Sequence, residues 1–292
     1  MVHSGNKMNI ILVGANGNLG REIISRNSSH KILPIHRNNW GDLNCYSFGK
    51  EDIVVNAASD LTSIVHEKPC SVIDSNLVLT LRLLEISKGC ALFIYISSCA
   101  VYGDALTTTE STRCRPVSIN GITKFLNERI VEEFCCKNAI PYLIIRVFNM
   151  YGGRDRFSII SKLQQSIETG IPFKLNNSGI AQRDFVHVSD VADIVLKLSL
   201  LDIPSGYLNV GTGCTTKIST IVARVKELYP KLNVIDEKAN EIEYSRADIS
   251  KLMGLLDCEF ICVDQQLPDL IQAHHAFPFV LESAKITRIN AE

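Results

Sequence analysis

The sequence predicts an α/β protein, built on a doubly wound, mostly parallel sheet with a smaller mixed lobe toward the C-terminus. Three observations carry that expectation. Short apolar runs alternate with stretches of helical period through the first half of the chain, the mark of strands buried on both faces. A glycine-rich turn joins the first run to the first helical stretch. After Tyr151 the rhythm loosens into mixed helices and strands without a long linker or repeat. With 292 residues, 46% of them hydrophobic and only 9 prolines, the chain is long and apolar enough for a sizeable core.

Taken in order, Met8–Val13, Ile53–Asn56, Leu92–Ser97 and Tyr142–Phe148 read as strands, rich in Ile and Val and bounded by Gly, Asn or Ser. Between them Leu77, Leu81 and Leu84, and later Ile130 and Phe134, recur at helical intervals. The βαβα order implies parallel strands with helices on both faces. Beyond Tyr151 the pattern predicts a helix near Phe157–Glu168, a strand at Arg183–Val188, a helix after Ser189 and another near Ile218–Leu228. Ser189 or Asp190 is the expected cap of the helix they open. Residues 264–292 read as one short helix and a tail. The expected division is residues 1–150 as one domain, with 180–212 returning to it, and residues 151–292 mainly as a second lobe.

Composition narrows the partners. Thirty basic residues against 31 acidic ones leave a formal charge of −1, so no basic field gathers nucleic acid. Apolar runs such as Ala91–Ile96 fall far short of the roughly 20 residues a membrane span needs. The polar opening MVHSGNK does not read as a signal peptide, and an intracellular, cytoplasmic chain is expected. The 10 cysteines include no C-x-x-C pair, and His274–His275 have no cysteine at ligand spacing. Reduced thiols and no metal site are therefore expected.

The segment MNIILVGANGNLGREII carries the first chemistry: a strand, then Gly14, Gly17 and Gly20, then a helix with Leu19, Ile23 and Ile24 inward. Glycines at such a turn let the backbone approach a pyrophosphate, and the helix start offers unpaired N–H groups to the anion. An ordinary glycine-rich strand–helix turn is the plainer alternative, but the strand before and the helix after favour a Rossmann-like dinucleotide cradle. Gly14, Asn16, Gly17, Asn18, Leu19 and Gly20 are its candidate residues. At the end of the second strand, Ile32–Arg37 has no carboxylate before Asp42 for a ribose 2′-hydroxyl. Arg37, with help from His36, suits a 2′-phosphate, so NADP(H) is favoured and NAD(H) stays open; a solvated surface arginine is the plain alternative.

Further motifs follow in a fixed order: Asn56-Ala57-Ala58, Ser97-Ser98-x-x-Val101-Tyr102-Gly103, Pro116-x-Ser118, Lys124, and Arg183-Asp184-Phe185-x-His187-Val188-x-Asp190. With the glycine turn, this set resembles the extended short-chain dehydrogenase/reductases that act on nucleotide-sugars, over approximately residues 8–255. The resemblance implies that Asn56, Ala57 and Ala58 border the cofactor and that Ser98 polarises the substrate. It also implies that a Tyr-x-x-x-Lys pair on one helix supplies the proton donor and its activator, the lysine holding the nicotinamide ribose as well. Residues at i and i+4 share a helix face, so the lysine ammonium can lower the tyrosine pKa.

Lys124 is in place, but the tyrosine position is Asn120. An asparagine amide is no useful acid or base near neutral pH, and losing a positioned general acid costs about 10²–10⁴ in rate. Tyr46–Lys50 also spells Tyr-x-x-x-Lys, yet it precedes the third strand and reads as coincidence. Three readings stay open. Ser98, Tyr102 or water delivers the proton; the protein binds without turnover; or the chain is a variant made inactive to trap a complex.

On the substrate side, the resemblance places Asn149 beneath the nucleotide-sugar diphosphate and Arg183 and Arg246 on that diphosphate or its ribose. The arginine fork suits paired phosphate oxygens, though each alone reads equally as a surface ion pair. Tyr102 is a candidate substrate contact, with core packing as good an explanation for it and for Tyr151. Asp184 and Asp190 read as structural, and His187 as a satisfied histidine. The helices carrying Leu77–Ile86 and Phe125–Phe134 correspond to those that form a four-helix dimer interface in that family, so a homodimer is expected. The leading expectation is NADPH-dependent reduction of the C4 ketone of a nucleotide-linked 4-keto-6-deoxyhexose in surface-polysaccharide sugar biosynthesis. A 4-epimerase and a catalytically silent nucleotide-sugar-binding protein are the alternatives.

Overall fold

The computed structural model describes residues 8–36, 40, 43, 45–61 and 69–276. Among them, one parallel sheet of six strands organises the molecule in the order β11-β6-β4-β3-β1-β2. Its strands are β1 (Asn9–Val13), β2 (Lys31–Ile35), β3 (Asp52–Asn56), β4 (Leu92–Ser98), β6 (Tyr142–Val147) and β11 (Gly206–Val210). The apolar runs form strands because both faces are covered. Ile10, Leu12, Ile53, Val55, Ile94 and Ile145 pack one way, onto α1 (Asn18–Arg26) and α6 (Val188–Leu198). Ile11, Val13, Val54, Phe93 and Ile144 pack the other way, onto α3 (Leu79–Ile86) and α4 (Ile119–Lys137). The Rossmann-like α/β class expected from the sequence is the class observed.

The order of strands positions the site. From β1 the chain moves to β2 on one side and then to β3 on the other, so a crevice opens where the two connections diverge. Open α/β sheets bind ligands at this switch point. Strand β11 comes from the C-terminal half of the chain and completes the sheet beside β6.

The smaller lobe has its own apolar centre, with Tyr151, Leu163, Phe173, Ile221, Val225 and Leu267 buried together. Around it lie α5 (Ile159–Thr169), α7 (Ile218–Leu228), α9 (Val263–Ala276) and short strands. These include β8 (Phe173–Asn176) paired with β13 (Val234–Glu237), and β14 (Tyr244–Ala247) beside β5 (Ala105–Thr108). Among the described residues no helix is long and apolar enough to cross a membrane.

Several local expectations are corrected. The single strand at Arg183–Val188 is two short ones, β9 (Gln182–Arg183) and β10 (Val186–His187). Between them the fully buried Asp184 carboxylate turns aside to accept bonds from Thr212 N, Gly213 N and Ala247 N at 2.8, 3.0 and 3.1 Å. Neither Ser189 nor Asp190 caps α6. His187 does, its Nδ1 accepting from Ser189 N at 3.3 Å, while Asp190 accepts from Ile261 N at 2.9 Å. The helix carrying Leu77 is π-helical over Ile73–Val78, between an α-helical opening at Pro69–Val72 and α3. There the carbonyl of Asn76 accepts both Thr80 Oγ1 (2.8 Å) and Asn127 Nδ2 (2.9 Å), side-chain donors that intrude on the helical ladder. Ile24 is exposed rather than inward, leaving Leu19 and Ile23 as the buried face of α1. Of the C-terminal segment, α9 is described to Ala276 and the rest lies outside the described residues.

Candidate active site

The glycine turn folds as a cradle. Gly14 has φ +87°, a left-handed conformation that suits glycine, and a Cβ there would lie 2.8 Å from Ala58 N. Gly20 brings α1 against the turn, since its Cβ would meet Gly14 O at 2.3 Å. Asn56 fixes the facing segment, donating to Thr80 Oγ1 at 3.2 Å and accepting from Ala58 N at 3.2 Å. Helix α1 begins at Gly17 with no side-chain cap and no acid in its first turn. Its first N–H groups are the ones an intrahelical ladder leaves unpaired, and Gly17, Asn18, Leu19 and Ala57 line the adjoining cleft. An uncapped helix start beside a glycine cradle fits a dinucleotide pyrophosphate. Asn16 is exposed, with its carbonyl taken by Arg21 Nε at 2.9 Å. Arg37 lies outside the described residues.

The cleft has a volume of about 940 Å³ and runs from this turn to the small lobe. Ser98 ends β4, and its Oγ accepts from Ala100 N at 3.2 Å as the chain turns. Helix α4 is capped by Ser118 Oγ, which accepts from Gly121 N at 3.1 Å. Gly121 lets the helix press on the turn after Ser98: a Cβ there would stand 2.4 Å from Ala100 O. That approach brings Asn120 and Lys124 into the cleft with Ser98.

Lys124 is buried, donates to Ile96 O at 2.7 Å, and stands 5.0 Å from the Tyr95 ring centroid. Burial pushes its pKa down to about 8, against the pull of Glu128 one turn on. Glu128 is fully buried, accepting Ser97 Oγ at 2.6 Å and a two-pronged grip from Arg146 at 3.0 and 2.7 Å. The Asn120 Oδ1 atom is buried without a hydrogen-bond partner among the described residues. Tyr102 is drawn away from the cleft. Its hydroxyl accepts from Arg146 Nη1 at 3.0 Å and donates to Asn209 Oδ1 at 2.6 Å inside the core. Burial pushes its pKa up to about 12.

On the far wall, Asn149 donates to Asp184 O at 2.9 Å and to Ser245 Oγ at 3.3 Å. Arg183 lines the cleft, donating to Gln182 O and Glu243 O at 3.1 and 3.2 Å and to Ile242 O, with Glu241 at 3.6 Å. Arg246 does not join it. The side chain is exposed and donates to Gly213 O at 2.7 Å, because alternation along β14 turns Ser245 inward and Arg246 outward. Ser245 was thus missed: the two-residue period of a strand sets it opposite Arg246 but does not say which of the two faces the cleft. Sequence reasoning also missed Ser59 to Leu61, the rim from Arg154 to Lys162, and the β8 wall. These come from segments far apart in the chain and carry no shared motif. Among the described residues no cluster of His, Cys, Asp and Glu is placed to hold a metal ion.

Comparison with known proteins places the chain in a family and matches its fold. The family model described as NAD dependent epimerase/dehydratase family matches residues 10–211. A Bacillus subtilis relative, described as the uncharacterized UDP-glucose epimerase YtcB, is 28% identical over 184 residues, 60% of this chain and 58% of its own length. The matched segment therefore spans less than two thirds of that relative. A Methanocaldococcus jannaschii protein, MJ1055, is 25% identical over 80% of this chain and 76% of its own. In fold, the chain is similar to MoeE5 solved with UDP-glucuronic acid and NAD, at TM-score 0.81 and 23% identity over 92% of this chain and 99% of that one. It is similar also to a UDP-N-acetylglucosamine 4-epimerase from Methanobrevibacter ruminantium, at TM-score 0.80 and 21% identity over 93% and 99%. The matched span runs from β1 through β11, more than half of the chain, and the chain belongs to the NAD-dependent epimerase/dehydratase family.

Proposed function

We propose that this protein is a nucleotide-sugar oxidoreductase that reduces the C4 ketone of a nucleotide-linked 4-keto-6-deoxyhexose. The observation that carries the reading is Asn120 beside Ser98 and Lys124 in one cleft. Oxidising a sugar hydroxyl, as a 4-epimerase must do first, requires a base to take its proton, and an amide is not one. A ketone arrives already oxidised. The nicotinamide supplies hydride when bound. With the hydride delivered to C4 and the carbonyl π pair moved to oxygen, Ser98 Oγ would relay a proton from water to that oxygen. Ser98 Oγ donates a hydrogen bond to the developing oxyanion, and the Lys124 ammonium supplies positive charge behind it.

The cradle of Gly14, Gly17, Asn18, Leu19 and Gly20 supports a dinucleotide, and the absence of a carboxylate between Ile32 and His36 favours NADP(H) over NAD(H). Asn149 and Arg183 are proposed to hold the nucleotide-sugar diphosphate. Residues 1–150 with 180–212 would then serve the cofactor, and residues 151–292 mainly the sugar nucleotide. Exposed Ile73, Leu81, Ile122 and Leu126 on the two helices beside the sheet support a homodimer. A cytoplasmic role in surface-polysaccharide sugar biosynthesis accords with this reading.

The test is NADPH consumption with a panel of 4-keto nucleotide-sugars, set beside epimerisation of their 4-hydroxy forms. Consumption with a keto substrate, abolished in Ser98→Ala, supports the reductase; epimerisation without keto reduction contradicts it. Asn120 also favours a second reading, a silent nucleotide-sugar-binding protein. Tight binding of both ligands with no turnover selects that one.

A further inference from the structure

The side chain of Asn18 is not free for a cofactor. From the first position of α1, its Nδ2 donates to Gly152 O at 2.9 Å and its Oδ1 accepts from Arg154 N at 2.7 Å. One amide thus closes both polar groups of a loop more than 130 residues away, in the segment that leads into the small lobe. The loop is shaped around the clasp. Gly152 and Gly153 have φ of +88° and +66°, and a Cβ would lie 2.2 Å from His187 Nε2 at the first and 2.6 Å from Asn18 Oδ1 at the second. Beyond it, Asp155 accepts from Phe157 N (2.9 Å), Ser158 N (3.0 Å) and Ser161 Oγ (2.8 Å), making one hydrogen-bonded unit as far as α5. Arg154, Phe157 and Lys162 from this unit line the same cleft as the glycine cradle.

We propose that Asn18 is a positioning residue that fastens the cleft wall from Gly152 to Lys162 to the start of α1, so that occupancy of the cradle and of the sugar-nucleotide side are coupled. The inference rests on the function proposed above for the meaning of the two sites, but not for the clasp itself. Asn18 has its backbone N–H in the cradle and its side chain on the wall. A ligand that orders the first turn of α1 therefore also orders Arg154 and the turn behind it. Linkage makes the effect reciprocal.

Two measurements test this. Hydrogen exchange on the ligand-free protein compares wild type with Asn18→Ala. The amides of Phe157 and Ser158, bonded to Asp155 rather than to Asn18, are expected to exchange about tenfold faster, while β1 and the rest of α1 keep their rates. Gly153→Ala, which drives a Cβ into the clasp with Asn18 intact, is expected to give the same signature. Acceleration confined to Arg154, or no change, overturns the proposal. Calorimetry then measures NADP⁺ and UDP affinities, each alone and with the other present. The expected mutual tightening, at least about fivefold in wild type, falls to near unity in Asn18→Ala, whatever that variant does to each separate affinity. Undiminished coupling overturns the proposal. If neither nucleotide binds the wild-type protein, it is the function proposed above that fails, and the exchange result alone decides on Asn18.

Discussion

Asn120 and Lys124 stand one turn apart on the same helix and face the same cleft, yet among the described residues the lysine Nζ has a partner and the asparagine Oδ1 has none. Lys124 Nζ donates to Ile96 O at 2.7 Å, whereas the Asn120 Oδ1 atom is buried with no partner among the described residues. A tyrosine at 120 would project a phenol, able to donate and accept, from the helix position that now carries a short amide. At position 120 the chemistry that remains is holding and polarising, since the amide there does not titrate.

Asn120→Tyr is therefore expected to raise the reductase rate by about 10²–10⁴. Steady-state NADPH oxidation with a saturating 4-keto nucleotide-sugar measures it. An unchanged or lower rate means that the proton already travels by a route the phenol does not improve.

Lys124 carries a stability prediction with a definite sign. Its pKa falls from 10.5 to about 8 on folding, so between about pH 8 and 10.5 the unfolded chain binds more protons and stability from this group rises with pH. Below pH 8 the buried ammonium is fully penalised. Lys124→Met should stabilise the apoprotein at pH 7 by roughly 1–2 kcal/mol, allowing for the lost bond to Ile96 O, with the gain shrinking toward pH 10. Urea unfolding at several pH values checks it, and destabilisation at pH 7 would refute the assignment. The same charge loss makes turnover fall as pH rises through about 8.

The Glu128–Arg146 pair lies under this site with side chains 0% and 4% exposed. Glu128→Gln leaves the guanidinium without its counter-charge and is expected to destabilise the fold by about 3 kcal/mol. Adding Arg146→Met should recover a large part of that loss. Additive losses in thermal or urea unfolding would show that the two residues do not act as a pair.

Arg183 and Arg246 separate by placement. Arg183→Ala should weaken UDP binding by about tenfold or more, while Arg246→Ala stays within about threefold, since its side chain points away from the cleft. Calorimetry with UDP decides, and equal losses would contradict the orientation of β14.

Much of the sheet was legible because its strands are buried on both faces: runs such as IILV and FIYI can hardly be anything else at that length. The glycine cradle was legible because glycine alone tolerates the backbone at Gly14 and the packing at Gly20. What escaped depends on partners distant in sequence. Choosing Ser245 over Arg246 needed the register of β14 against β5 and β9. The capping role of His187 looks on paper like that of its neighbours Ser189 and Asp190. Asn18 reads as part of a phosphate motif, and nothing in the sequence announces that Gly152 and Arg154 will come to meet it. Tyr102 sits in a motif that invites a substrate role, but the buried Arg146 guanidinium, 4.8 Å from its ring centroid, claims it for the core.

The most direct measurement follows an isotope. The wild-type protein is incubated with a 4-keto-6-deoxy nucleotide-sugar and NADPH carrying deuterium at the transferable C4 position, and the sugar product is examined by mass spectrometry and NMR. One deuterium on sugar C4, absent from the product of Ser98→Ala, is the predicted result. A keto-sugar recovered unlabelled and unreduced, with both ligands bound, would contradict the reductase and leave a protein that holds these ligands without reacting them.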